Sequence, residues 1–157
     1  MNYREKCRNC NEAFLQQNLY ELGPSPHANS LEKKENRFKS TLYPLSLYNC
    51  KKCYLVQGAV DFSSIDIFKN DYPYLSSQSQ SFLDHWNNSL SKIINKYSLN
   101  SNSHILEIAS NDGYLQDLFL KKNLIVIGVE PSPEPAEISV SKGNHVIQEF
   151  FTANLSK

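Results

Sequence analysis

The stretch that decides the fold is His104-Ile105-Leu106-Glu107-Ile108-Ala109-Ser110-Asn111-Asp112-Gly113. Residues 105–108 read as a short apolar strand, and 109–113 as a turn built from small and polar residues. A helix is expected over 114–122 on the spacing of Leu115, Leu118 and Phe119. A second apolar strand follows over 124–129 and is closed by Glu130-Pro131-Ser132. Residues 134–142 read as a second helix, with Gly143 as its C-cap, and His145-Val146-Ile147 opens a third strand. This β-α-β-α-β order predicts an α/β fold, half of a doubly wound Rossmann-like sheet whose helical crossovers force the strands parallel.

Upstream of this unit, Phe82, Trp86, Leu90, Ile93 and Tyr97 recur at helical spacing and predict a connector helix. Ser81 and Asp84 offer it a capping box, with Asp in place of Glu. Before that helix lies a polar aromatic loop, Tyr72-Pro73-Tyr74-Leu75-Ser76-Ser77-Gln78-Ser79. Three zones result: 1–62, a small β-rich module; 63–103, aromatic loop and connector; and 104–157, the start of the α/β domain. In the first zone, Leu22-Gly23-Pro24-Ser25-Pro26 reads as a loop by its Gly and Pro content. Residues 42–48 alternate like a strand that Pro44 would confine to a sheet edge, and 53–57 leave as another strand.

The first zone also holds all four cysteines, as Cys7-x-x-Cys10 and Cys50-x-x-Cys53. Each pair places two thiolates on one tight turn, so the two turns together can close a tetrahedral zinc site. None is left over, and the intervening 39 residues must fold back to bring the turns together. Independent dithiols or buried free thiols are the alternative. Lys6, Arg8, Lys51 and Lys52 flank the pairs and would ease thiolate formation. With four protein ligands there is no open position, which makes the expected Zn²⁺ structural. Such a metal would replace the large core that so short a module cannot build.

Over the 157 residues, 16 Lys+Arg balance 16 Asp+Glu, which argues against nucleic-acid binding by bulk electrostatics. No apolar run has the length of a membrane helix, and the polar start, Met1-Asn2-Tyr3-Arg4-Glu5-Lys6, leads into no signal-peptide core. A cytoplasmic location without membrane partners is expected. In a sheet of the predicted kind, ligands bind at the carboxyl ends of the strands. Two such ends carry acids, Glu107 and Glu130, and a carboxylate can accept both hydroxyls of a ribose. The turn lacks G-x-G-x-x-G, which disfavours NAD. S-adenosylmethionine (SAM) has no phosphate and tolerates such a turn, with Asn111 and Asp112 near it. The plainer alternative is an Asp112 that caps a helix and a solvent-exposed Glu130.

Taken together, these motifs resemble the cytosolic sugar C-methyltransferases, which act on nucleotide-linked keto-sugars. The resemblance rests on the paired C-x-x-C module, Leu22-Gly23-Pro24-Ser25-Pro26-His27-Ala28-Asn29, Tyr43-Pro44-Leu45 and Cys53-Tyr54-Leu55-Val56-Gln57. It continues through the 72–79 aromatic loop, His85, the 106–113 run and Gly128-Val129-Glu130-Pro131-Ser132. Two positions depart from the family pattern: Ala109 stands for a usual Gly, and His27 for a usual apolar residue. The resemblance implies SAM-dependent methyl transfer to a sugar carbon through an enolate. It assigns Glu107, Ala109, Asn111, Asp112, Gly113 and Glu130 to the cofactor, Tyr72, Ser77, Ser79 and His85 to the sugar nucleotide, and a catalytic hydroxyl to Tyr74. Interdomain packing is the alternative for the aromatics, and a satisfied helix histidine the alternative for His85. Family members are much longer, with their general base beyond the position of Lys157. The chain is therefore expected to be an N-terminal portion, completed by a second chain or inactive alone. A zinc and sugar-nucleotide binding fragment without catalysis, and a zinc-ribbon interaction protein, are the competing classes.

Overall fold

The chain divides into two units, Met1–Ile67 and Phe68–Lys157. The computed structural model describes residues 2–13, 19–28, 31–36, 39–58, 60–68 and 72–157; Asn29 of the quoted motif lies outside them.

In the first unit, strand β1 (Asn2–Tyr3) is followed by β2 (Tyr20–Ser25), β3 (Tyr43–Asn49), β4 (Val56–Gly58) and β5 (Val60–Asp61), then the single-turn helix α1 (Ser64–Ile67). β2, β3 and β4 form one antiparallel sheet in that order, and β1 pairs with β5. The β1–β5 pair is tied by Arg4 and Arg8, whose guanidiniums both reach the Asp61 carboxylate and hold its pKa down.

Two sequence expectations change here. The Gly-Pro stretch read as a loop is part of β2. A register shift between Glu21 and Pro24 absorbs the irregularity, and Gly23 takes the left-handed backbone (φ +79°) that the shift requires. β3 is the central strand rather than an edge. Its Pro44 lies opposite Pro24, so that rung has no N–H from either residue and costs the sheet no broken donor.

The second unit contains α2 (Gln80–Tyr97), β6 (His104–Ile108), α3 (Tyr114–Leu120), β7 (Ile125–Val129), α4 (Pro133–Ser141) and β8 (Val146–Ile147). Its three strands are parallel in the order β6-β7-β8, with Glu107 opposite Gly128 and Val129 opposite Ile147. The core gathers Leu90, Tyr114, Leu115, Phe119, Leu124 and Val126, with Phe82, Trp86 and Ile94 packed against it. Thus α2 is a core helix of this unit, using a stripe at Phe82, Trp86, Leu90 and Ile94, while Tyr97 is exposed. Its start carries no side-chain cap: Ser79 is the N-cap residue, and Asp84 accepts from Gln80 instead of closing a box with Ser81. It ends in a Schellman arrangement, in which Ser98 (φ +52°) and Leu99 donate to Asn95 and Ile94.

Alternation along β6 puts Ile105 and Glu107 on the face toward the core and Leu106 and Ile108 on the other, where they are 52% and 53% exposed. Among the described residues, no helix is long and apolar enough to cross a membrane.

Candidate metal centre and candidate cofactor turn

The two C-x-x-C turns are built alike. In the first, the Cys7 N–H donates to Glu12 O and the Asn11 N–H to Cys7 O; in the second, Cys50 donates to Leu55 O and Tyr54 to Cys50 O. Asn11 and Tyr54, each just past the second cysteine, share φ +60°. The left-handed residue turns the chain back so that both sulfurs of a pair face the same point.

All four Sγ atoms lie within 4.8 Å of one another, with Cys7–Cys53 at 3.6 Å and Cys10–Cys50 at 3.4 Å. A tetrahedron of thiolates about 2.3 Å from a central zinc has edges of about 3.8 Å. The donor set therefore fits Zn²⁺.

The surrounding hydrogen bonds prepare the sulfurs. Gln57 Nε2 donates to Cys7 Sγ at 3.1 Å and the Asn9 N–H at 3.4 Å, while Gln57 Oε1 accepts the Arg8 N–H at 3.0 Å. A backbone N–H from Cys10, assisted by Gln57 and Asn9, outweighs burial and brings the Cys7 thiol down to about 6. Cys53 is lowered chiefly by the backbone of Leu55. At Cys10 the Glu12 backbone acts in the same lowering sense, but burial and the crowding of Cys50, Cys53 and Cys7 prevail and push it up to about 12. Without a cation, then, the Cys10 proton leaves reluctantly; a bound Zn²⁺ removes that obstacle.

In the second unit, the turn after β6 is held in three left-handed residues: Ala109 (φ +60°), Asn111 (φ +51°) and Gly113 (φ +78°). The N–H groups of Ala109 and Ser110 both donate to Val129 O, anchoring the turn to the end of β7. Glu130 staples its other side: one oxygen accepts the Asn111 N–H at 2.9 Å and the other the Ser132 N–H at 2.7 Å. It is buried, not solvent-exposed.

Asn111 and Asp112 reach toward the aromatic segment. Asn111 Oδ1 accepts the Ser76 N–H at 2.8 Å, its Nδ2 donates to Tyr74 O at 3.1 Å, and Asp112 Oδ1 accepts the Ser77 N–H at 3.3 Å. Lys142 Nζ donates to Asp112 O at 2.7 Å and lies 3.7 Å from its carboxylate.

Sequence-predicted residues thus fall into groups. Glu107, Ala109, Asn111, Asp112, Gly113 and Glu130 meet at the ends of β6 and β7, with the Tyr74–Ser77 backbone laid against them. Tyr72 instead packs on Phe68. Ser79 Oγ meets Ser81 Oγ at 3.3 Å at the start of α2, and His85 is exposed on that helix, edge-on to Trp86.

The chemistry of the turn is set by Glu107. Its Oε2 is buried with no hydrogen-bond partner among the described residues, as are Ser110 Oγ and Ser132 Oγ. Burial, then the charges of Asp112, Asp117 and Glu130, raise Glu107 to about 8. Nearby, burial and the charges of Glu107, Tyr74 and Asp112 push the Tyr114 phenol up to about 12. An unpartnered acid pressed upon by other acids fits a cationic ligand, and the ammonium and sulfonium groups of SAM have that charge.

Several supporting residues carried no sequence signal. Gln116 is fully buried, donating to His145 O and accepting from Ser139 Oγ. A Cβ at Gly113 would collide with Ser139 and Asn144, and one at Gly128 with Ser110 and Gln116, so two glycines let α3, α4 and β7 close on this network.

Residues 7–68 match a family profile described as "Putative zinc binding domain" (Methyltransf_13). The matched stretch includes both C-x-x-C turns and nearly all of the first unit. The C-methyltransferase NovU of Streptomyces niveus is 25% identical over 155 residues, covering 98% of this chain. The chain spans 36% of that relative's length. A crystal structure of MccD protein aligns with 47% of this chain and 34% of its own, at 18% identity and a TM-score of 0.33.

Proposed function

We propose that the chain is the N-terminal portion of a SAM-dependent C-methyltransferase acting on nucleotide-linked keto-sugars in the cytoplasm. Methyltransferase kinship rests on the similarity to NovU, and the zinc-binding domain stands beside it. The observation that carries the SAM reading is the buried, unpartnered Glu107 Oε2 at the carboxyl end of β6. In this reading the second unit is the start of a Rossmann-like domain, and SAM supplies an electrophilic methyl group. Glu107 holds the cofactor's positive end, and Gly113, whose bare Cα admits Ser139 and Asn144, keeps the turn in its left-handed shape. Glu130 presents to the ribose the lone pairs its two backbone bonds leave free. Asn111 and Asp112 set the distance between the cofactor turn and the segment bearing Tyr74, whose hydroxyl serves the reacting sugar. Ser77, Ser79, Tyr72 and His85 complete the sugar-nucleotide side.

Among the described residues β6 is an edge strand, and Leu106 and Ile108 are exposed on the sheet face away from the core, which favours a further strand beside β6 and a covering element over that face, from a second chain or segment. Zinc is structural in this scheme, since its four ligands close the coordination sphere.

Calorimetric titration of the zinc-loaded chain with SAM tests the reading. Saturable binding is expected, weakened by Glu107→Gln and strengthened as pH rises toward about 8, because the carboxylate and not the acid attracts the cation. A folded, metal-loaded chain that binds no SAM refutes it and leaves a zinc-binding fragment without the cofactor. Methyl transfer to a nucleotide-linked keto-sugar, with any completing chain supplied, separates enzyme from binding module.

A further inference from the structure

We propose that the cysteine cluster is a redox switch: oxidation joins Cys7 to Cys53 and Cys10 to Cys50, expelling the metal while leaving the first unit closed. Of the pairings open to four cysteines, the structure singles out this one. All four sulfurs lie within 4.8 Å of one another, but the two sulfur–sulfur contacts, at 3.6 Å for Cys7–Cys53 and 3.4 Å for Cys10–Cys50, both run from one turn to the other. A disulfide needs its sulfurs about 2.0 Å apart, so each pair closes by about 1.5 Å. Each pair is also mixed in burial: Cys7 and Cys50 are 2% and 3% exposed, whereas Cys53 and Cys10 are half-buried. An oxidant therefore meets Cys53 or Cys10 first, and the partner already in contact with that sulfur belongs to the opposite turn.

Hydrogen peroxide is a sufficient oxidant. The more exposed thiolate attacks one peroxide oxygen, the O–O bond breaks, and hydroxide departs, so that the sulfur becomes a sulfenic acid. The partner thiolate then attacks that sulfur; the S–O bond breaks, a second hydroxide departs, and the S–S bond forms. Each pair gives up two electrons to one peroxide, and the hydroxides take protons from solvent. With both pairs made, four thiolates are gone, so a bound Zn²⁺ loses every ligand. Pairing within each C-x-x-C would release the ion equally well but would leave the two turns unlinked. The crossed pairs instead close the same stretch between Cys10 and Cys50 that the metal closes, so the fold of the unit outlasts the ion. Reduction by a dithiol returns the four thiolates.

The test treats the full zinc-loaded chain with hydrogen peroxide beside a colorimetric zinc chelator, then alkylates it and digests it with trypsin. Cleavage at Lys6, Arg8, Lys51 and Lys52 puts each cysteine on a peptide of its own, so mass spectrometry reads the pairing directly. About two peroxides should be consumed per zinc released, with the Cys7 peptide joined to the Cys53 peptide and the Cys10 peptide to the Cys50 peptide. The oxidised, metal-free chain should keep the β-sheet circular dichroism that a reduced chain loses to a chelator, and dithiothreitol with fresh zinc should restore the metal content. Any other pairing, sulfinic acids in place of disulfides, or zinc retained with all four thiols reduced overturns the proposal. So does loss of the β-sheet signal once the crossed bonds have formed.

Discussion

Ala109→Gly should make this protein more stable, although it removes a methyl group. Ala109 sits at φ +60°, where a Cβ crowds the following carbonyl oxygen and costs about 1–2 kcal/mol. Glycine relieves that strain, while the freer unfolded chain takes back about 0.4–1 kcal/mol. The side chain is exposed, so no packing is lost, and the difference is a net gain of about 0.5–1 kcal/mol. Trp86, the sole tryptophan, packs on the core of the second unit, so its fluorescence follows that unit through a urea titration. With a slope of about 1 kcal/mol per molar urea, the midpoint should rise by about 0.5–1 M. Gly113→Ala, four residues on in the same turn, is the control of opposite sign. It places a Cβ at φ +78° and into Ser139 and Asn144, and strain plus overpacking should cost about 2–4 kcal/mol. An unchanged or lowered midpoint for Ala109→Gly, with Gly113→Ala tolerated, would refute the left-handed turn.

Gln57→Ala removes the side-chain N–H that Cys7 Sγ accepts, and zinc affinity measured by chelator competition should drop about tenfold while the stoichiometry stays the same. Stripping the metal with a strong chelator should collapse the β-sheet signal of the first unit and leave the Trp86 emission of the second intact, as should Cys50→Ser with Cys53→Ser. Glu107 titrates at about 8 in the folded chain against 4.5 in an open one, so its contribution to stability is full below about pH 4.5 and is lost as pH rises through about 8. Urea midpoints across that window should fall, and Glu107→Gln should flatten the fall. Asn111→Ala cuts two bonds to the 74–76 backbone, so amide exchange at Ser76 should quicken at least tenfold while α3 amides hold their protection.

Periodicity made the parallel sheet legible, because its strands and helices are apolar runs bounded by small polar turns, and β6, α3, β7, α4 and β8 fall where the pattern puts them. The cysteine cluster was legible for a similar reason: four thiols in two C-x-x-C turns state their geometry locally. Features that depend on distant partners were not. The β2 stretch has the composition of a loop and is a strand because Tyr43–Leu47 lies beside it. Pro44 is harmless in a central strand because another proline faces it. Gln57 looks like any strand glutamine until the β3–β4 hairpin carries it to a sulfur fifty residues away in sequence. Gln116 breaks the apolar pattern of α3, and the break is explained by Ser139 and the His145 carbonyl, supplied by α4 and the approach to β8.

The likeness of the two cysteine turns bears on how the first unit assembles. Each closes on local backbone bonds, Cys7 with Glu12 and Asn11, Cys50 with Leu55 and Tyr54, and Gln57 ties the first turn to the strand that follows the second. Joining them is then a ring-closure step across the 39 residues between Cys10 and Cys50. For a loop of roughly 40 residues, the chain-entropy cost of such a cross-link is about 4 kcal/mol, borne by the metal–sulfur bonds rather than by apolar contacts. The unit is thus held shut at its cysteines rather than by a core, and a ligand that competes for the metal should loosen the whole unit at once.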